Sequence, residues 1–360
     1  MSTRTAAALA IEVPEMRRPA RDIRPVRIWL YVVALLIMAM VVVGGATRLT
    51  NSGLSITEWQ PIHGVVPPLN DAEWQEEFTK YQQIPEYQIL NKGMTLSEFK
   101  GIFWWEWSHR LLGRLIGVVV LVPMIAFFAL GRVDRRLAPK LAAIFVLGGL
   151  QGAIGWWMVA SGLALRTDVS QYRLAVHLTF ACAILAYVLW VARGLRPGSA
   201  LPASPWLRRV GALIVALVFL QIALGGLVAG LDAGFTFNTW PLMDGTLVPS
   251  GLFIQEPAWR NIFENVATVQ FDHRMVAYLL LAVSIAHAYQ ARGSGYGRQA
   301  AVLATLVLLQ ATLGIATLMM VVPLPLALCH QLGAVIVLSF AVVHLREMTP
   351  PHSRAVSVPA

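Results

Sequence analysis

Five stretches of this chain run for 19 or more residues without an Asp, Glu, Lys or Arg: 28–46, 141–165, 174–192, 210–231 and 299–345. Residues 115–130 and 275–291 are shorter runs of the same kind, and Pro323 and Pro325 divide the longest run in two. A bilayer crossing needs about 20 apolar residues, fewer when Arg or Lys can snorkel at its ends. The pattern predicts eight membrane helices, at 28–47, 104–130, 139–162, 172–192, 207–230, 271–291, 298–321 and 326–345. In hydrocarbon every backbone polar group must be satisfied within the helix, so an all-α membrane protein is the expected class.

The net charge of +9 could suggest nucleic acid, but its distribution argues otherwise. Segments 1–27, 131–140, 193–209, 292–298 and 346–360 hold 18 Lys and Arg against 5 Asp and Glu, whereas 48–100, 166–173 and 232–272 hold 7 against 13. Such alternation is a positive-inside signature. It places both termini in the cytoplasm and excludes nucleic acid as a partner. Residues 1–27 carry six Arg but also Glu12, Glu15 and Asp22. That mixture reads as a short cytoplasmic tail rather than a mitochondrial presequence, and it points to a bacterial inner membrane. The only cysteines, Cys182 and Cys329, lie inside predicted helices, so no disulfide is available to the outer loops.

The chain repeats itself. GGATRLTNSGLSITEWQPIHG from Gly44 aligns with GGLVAGLDAGFTFNTWPLMDG from Gly225. Gly44, Gly45, Gly53, Trp59 and Gly64 match Gly225, Gly226, Gly234, Trp240 and Gly245 at an offset of 181. The next helices carry His109-Arg110 and His273-Arg274, then Gln151 with Gly155 and Gln310 with Gly314, then His177 and His330. An even number of helices per repeat makes the halves parallel, giving two tandem pseudo-symmetric four-helix bundles. The expected organisation is a tail at 1–27, a bundle at 28–192 with a long outer loop at about 48–102, a linker at 193–206, a second bundle at 207–345 and a tail at 346–360.

Histidines 109, 177, 273 and 330 each fall near the outer start of a helix running inward. Ionisable groups at membrane depth are costly and usually functional. Each half supplies two imidazoles without a Cys or carboxylate cluster, which fits the axial positions of a haem better than a four-ligand zinc. Arg110, Arg114, Arg173 and Arg274 are placed to meet haem propionates, or to snorkel. His287 and His344 lie 14 residues further along their helices, at cytoplasmic ends where a polar side chain costs little, and His63 and His352 stand outside the symmetric set. The halves also differ. Glu106, three residues before His109 and on the same helix face, is replaced by Gln270 before His273. An acid beside one site and an amide beside the other suggests chemistry in the first half and electron storage in the second.

The segments GGATRLTNSGLSITEWQPIHGVVPPL and EFKGIFWWEWSHRLLGR resemble the heme A synthase family, in its proteobacterial and mitochondrial form. The resemblance covers nearly the whole chain. It implies conversion of haem O to haem A by successive hydroxylation of a porphyrin methyl group to a formyl group, for terminal oxidase assembly. It also implies a resident haem b on His273 and His330 with Arg274 beside them, and substrate haem on His109 and His177 near Arg110, Arg114 and Arg173. Glu106 is marked as the essential acid. Some members carry a cysteine pair in their outer loops, which this chain lacks. The implied partners are haem O synthase, oxidase assembly factors and the lipid bilayer, with the electron donor and homo-oligomerisation left open. The haem sites are expected toward the periplasmic side. Two other functions fit the residues alone, a two-haem b-type electron carrier and a non-catalytic haem chaperone or transporter.

Overall fold

The computed structural model describes residues 22–60, 63–196 and 203–349. Most of both tails, His352 and part of the linker lie outside the described residues. The helices are α1 (Arg24–Leu49), α2 (Asp71–Tyr81), α3 (Pro85–Ile89), α4 (Leu96–Ala129), α5 (Ala138–Val159), α6 (Gln171–Gly194), α7 (Pro205–Gly230), α8 (Asn261–Glu264), α9 (Val266–Gln290), α10 (Gly297–Met319) and α11 (Leu324–Met348). No strand occurs among them. Eight helices, all but α2, α3 and α8, are long and apolar enough to cross a bilayer. The fold is all-α and multi-pass.

Helix α1 packs on α4 and α6, and α5 on α4 and α6; in the second half α7 packs on α9 and α11, and α10 on α9 and α11. Helices α6 and α7, α1 and α11, and α6 and α11 join the halves. One apolar cluster, with Leu30, Val33, Leu185, Val188, Ile214 and Leu338 among its members, runs through both halves. On α4, by contrast, Leu115, Val118, Val122 and Ile125 form an exposed stripe at helical spacing, as expected of a face turned to lipid.

The paired glycines set how closely the helices approach. A Cβ at Gly226 would lie 2.8 Å from Ala175 Cα, and one at Gly230 would lie 2.6 Å from Gln171 Cα, so α6 and α7 touch backbone to backbone. Gly45, the repeat counterpart of Gly226, instead makes room for the side-chain amide of Gln331 on α11, and Gln331 donates from Nε2 to Val41 O at 3.0 Å. At the loop-rich end Arg48 Nη2 donates to Ala229 O (2.9 Å) and to Asp232 Oδ1 (2.8 Å), tying the end of α1 to the end of α7.

Helix α4 starts at Leu96, eight residues before the expected 104. A capping box explains the difference: Glu98 N donates to Thr95 Oγ1 (3.3 Å), and Thr95 N donates to Glu98 Oε2 (2.7 Å). The added turns bury Phe99 and Phe103 against Trp74, Phe78 and Tyr81 of α2. His109 therefore sits 13 residues into its helix, about 20 Å at 1.5 Å per residue, whereas the other three histidines lie six or seven residues in.

His287 and His344 depart from expectation. Both are buried, at 0% and 1% exposure, because α9, α10 and α11 close around them. Their Nε2 atoms are 2.9 Å apart, and His344 Nδ1 is 3.0 Å from Gln299 Oε1. Gln299 Nε2 donates to Glu347 Oε2, which turns its carbonyl oxygen toward His344. Nδ1 of His344 is then the donor, its Nε2 the acceptor, and His287 donates from Nε2. The pair is an internal tie among three helices.

The backbone contact between α6 and α7 yields a direct test. Gly226→Val should lower the thermal unfolding midpoint of the full chain in detergent, with an overpacking cost of about 1–3 kcal/mol. Gly53→Ala, whose added Cβ would meet only Thr47 Cγ2 at 3.9 Å, should leave it unchanged.

Candidate haem-binding site

Each of the four histidines rests on a glycine of the helix before it. A Cβ at Gly44 would lie 3.0 Å from His109 Nε2, and one at Gly155 2.9 Å from His177 Cε1. A Cβ at Gly225 would lie 3.3 Å from His273 Cε1, and one at Gly314 2.7 Å from His330 Cε1. The repeat is therefore finer than the four-helix unit. It is a pair of helices, α1–α4, α5–α6, α7–α9 and α10–α11, each seating one imidazole on one glycine. In each double glycine, the first residue faces the histidine of its own half and the second faces the other half.

Glutamines one turn before three of these glycines reach the same rings. Gln151 Nε2 is 3.1 Å from His177 Nδ1 and donates to His177 O at 3.1 Å. Gln221 Nε2 is 3.1 Å from His273 Nδ1, 3.0 Å from His273 Nε2 and 3.1 Å from His273 O, so its amide lies against the ring. Gln310 Nε2 is 3.0 Å from His330 Nδ1 and 2.8 Å from His330 O. The fourth position, four residues before Gly44, is Met40. Sequence reasoning noted Gln151 and Gln310 but missed Gln221 and Met40. The Gln-x-x-x-Gly spacing at 151/155 and 310/314 was the signal that would have found them.

These residues suit a haem. Each imidazole remains partly accessible despite lying within the helix packing. The Oε1 atoms of Gln151, Gln221 and Gln310 are all buried without a hydrogen-bond partner. A histidine that binds iron through Nε2 carries a proton on Nδ1 and needs an acceptor for it. With the amide turned so that Oε1 faces the ring, Oε1 would accept that proton in exchange for the Nε2 bond to the histidine carbonyl. Among the described residues no three His, Cys, Asp or Glu side chains converge on a point; a haem requires only two axial imidazoles.

Glu106 is buried at 2% exposure and its oxygens are fully used. Oε2 accepts from Ser55 Oγ (2.8 Å) and Ile56 N (2.8 Å), and Oε1 from Arg110 Nε (3.1 Å) and Nη2 (2.7 Å). Arg110 also donates to Glu58 O (2.8 Å) and Ile56 O (2.7 Å). The second half repeats the clamp with its polarity reversed. Gln270 Nε2 donates to the carbonyls of Ala233 (2.7 Å) and Thr236 (2.6 Å), and Gln270 Oε1 accepts from Arg274 Nη2 (2.8 Å). Arg274 donates to Thr239 O (2.9 Å) and Phe237 O (2.7 Å), the offset-181 counterparts of Glu58 and Ile56. Arg110 and Arg274 thus fasten the first and third loops. Arg114 Nη2 donates to Gln60 O at 2.8 Å. Arg173 Nη1 donates to Trp157 O at 2.6 Å, its guanidinium lies 4.7 Å from the Trp157 ring centroid, and it lines an open cleft with Arg166, Arg260 and Glu264.

The first loop adds a second buried acid, Glu86 of α3, at 5% exposure and with Oε2 unpartnered. Burial pushes its carboxyl up to about 7. The Tyr81 hydroxyl and Arg48 oppose the shift, while Glu106 and Asp168 add to it. Nothing in the local sequence signals that this one of the loop's acids is enclosed.

The sequence model of the COX15-CtaA family, described as cytochrome oxidase assembly protein, matches residues 27–342. The heme A synthase of Chelativorans sp. (strain BNC1) is 60% identical over 325 residues, covering 89% of this chain and 90% of that protein. The heme A synthase of Mesorhizobium japonicum is 58% identical over 347 residues, covering 94% and 95%, and that of Brucella anthropi is 58% identical over 330 residues, covering 91% and 92%.

Two outcomes are expected of the loop clamp. In Glu106→Gln the amide can still accept from Arg110 but cannot accept from both Ser55 and Ile56. A buried N–H left without an acceptor costs about 1–3 kcal/mol, so amide exchange at residues 52–58 should speed up about tenfold or more; unchanged protection would show that the clamp does not hold the loop. Glu86 has a folded pKa raised above its ordinary 4.5. Its contribution to lid stability is therefore complete below pH 4.5 and is lost as the pH rises through about 7. Exchange protection of α2 and α3 should fall across that window, and Glu86→Gln should remove the dependence.

Proposed function

The chain belongs to the heme A synthase family, and from that premise we propose that its first half binds haem O through His109 and His177 while its second half holds a resident haem b through His273 and His330. It is a multi-pass membrane oxidoreductase that acts on haem O and forms haem A. The observation that carries the assignment of residues is the fourfold seat, in which each half presents two imidazoles on glycine.

When bound, the resident haem supplies one-electron chemistry. The work of the chain is to orient and enclose. His109 and His177 fix the substrate's plane between α4 and α6. In this reading Glu106, one turn from His109 and paired with Arg110, holds residues 55–58 over the site and is the group that would stabilise positive charge developing at the oxidised carbon. Taking the substrate methyl to the formyl group is a four-electron oxidation: two successive hydroxylations, with oxygen from dioxygen or water and the electrons passed to an acceptor outside the chain, would give a geminal diol that loses water. Arg114 and Arg173 are the proposed propionate-facing cations of the first half, and Arg110 fastens the loop through Glu106 and two loop carbonyls. On the second side Arg274 is likewise engaged with its loop, so its part in holding haem is to fix that cover.

The charge alternation supports both termini on the cytoplasmic side of a bacterial inner membrane, and hence sites toward the periplasm. The domain boundaries proposed are 28–192 for the substrate half and 207–345 for the resident-haem half. Haem O synthase and oxidase assembly factors are the proposed protein partners.

The test is co-expression with a haem O supply, followed by chromatography of extracted haems. Haem A or its hydroxylated precursor is expected alongside haem B. Haem B alone would defeat the reading in favour of an electron carrier, and haem O without any oxidised product would favour a chaperone. His273→Ala or His330→Ala should remove haem B, whereas His109→Ala or His177→Ala should retain haem B and abolish haem A.

A further inference from the structure

Three of the four seated imidazoles have an amide against the ring, and one does not. The position four residues before the seating glycine is Gln151, Gln221 and Gln310 in three helix pairs and Met40 in the fourth. Met40 and Gln221 are counterparts at the same offset of 181 that relates the rest of the repeat. The residue one turn after each histidine differs in step. It is Ala181, Ala277 and Ala334 where the glutamine is present, and Gly113 after His109. A Cβ at Gly113 would lie 3.3 Å from Met40 Cε, so the missing methyl makes room for the thioether chain. Two coupled differences at one seat make a built exception, and among the described residues no side-chain hydrogen bond reaches the His109 ring.

We propose, building on the haem assignment above, that His109 is the exchangeable axial ligand of the substrate site and that Met40 makes it so by withholding the amide that holds the other three rings. A thioether donates no hydrogen bond and accepts only weakly. Met40 can neither hydrogen-bond a ring nitrogen of His109 nor brace the His109 carbonyl as the glutamine Nε2 atoms do in the other seats. A partner on the far nitrogen fixes the ring's orientation and raises its basicity as a ligand. Both imidazoles of the second half have an amide against the ring, which suits a haem that stays. In the first half only His177 has it, which suits a haem that must arrive, react and leave. Met40 acts here as a positioning residue, by what it fails to hold.

The test uses the full chain in detergent, carrying haem in both halves, and follows haem transfer to excess apomyoglobin together with the absorption spectrum. The wild type should release haem in a fast phase and a slow phase, and the fast phase should disappear in His177→Ala, which marks it as the first half. Met40→Gln should slow the fast phase about tenfold and shift that haem toward a six-coordinate low-spin spectrum, while Met40→Leu should leave it as it is. Gln221→Met, the mirror change, should speed the slow phase by a similar factor. An unaltered fast phase in Met40→Gln, or equal slowing by Met40→Leu, would overturn the proposal. If Met40→Gln does not fold, Gln221→Met decides alone, and an unaltered slow phase overturns it. Extracted haems from the same wild-type preparation separate the two readings: haem A present with unaltered release rates overturns only the role of Met40, whereas its absence overturns the functional assignment.

Discussion

The contact between an imidazole edge and a bare Cα governs this structure. A histidine ring can lie between two membrane helices at this spacing only where the neighbouring helix has no side chain, and Gly44, Gly155, Gly225 and Gly314 supply that gap. The helices must then come close at those points, and the bundle is arranged so that they do. Gly45 and Gly226 add the second requirement. About 100° further round the same helices, they admit α11 and α6 of the opposite half. A double glycine thus serves a site on one face and the junction of the halves on the other. The junction cannot loosen without moving the helix that seats an imidazole.

The loops over the site obey a second constraint, which is hydrogen-bond polarity. Loop one presents an N–H and an O–H to helix α4, and loop three presents two carbonyls to helix α9. A carboxylate can only accept, whereas an amide can donate. Glu106 and Gln270 are each matched to what the loop offers, and the following Arg110 and Arg274 complete the same clamp on equivalent carbonyls. The acid of the first half is therefore fully bonded, with no idle lone pair facing a substrate.

The sequence made the spans, the duplication and the four histidines legible because each is written in a strong local pattern: uncharged length, a constant offset, a polar residue in an apolar run. It also carried signals that went unread. Thr95-x-x-Glu98 announces the start of α4, yet the charged residues before Lys100 drew the predicted boundary inward. Within the membrane helices Gln-x-x-x-Gly occurs three times and breaks once at Met40, but its meaning depends on the helix packed opposite. Other features have no local signature. That Glu86 is enclosed while Glu76 is exposed, or that His287 and His344 bond to each other, follows from packing between elements far apart in the chain. A polar residue near a helix end reads as wet until its neighbours are known.

The departures from symmetry fall on one side. Met40 replaces a glutamine, Glu106 replaces an amide, Gly113 replaces an alanine, and the first loop alone grows helices α2 and α3, an aromatic cover and the buried Glu86. The second half keeps both glutamines on its imidazoles and an uncharged Gln270 in its clamp. Duplicated bundles with one task would diverge without preference between halves. Divergence concentrated around His109, in its ring partner, its helix face, its nearest charge and its cover, is what a site needs when its ligand must come and go and must be enclosed while it reacts. The half that changed little is the one suited to holding a cofactor in place.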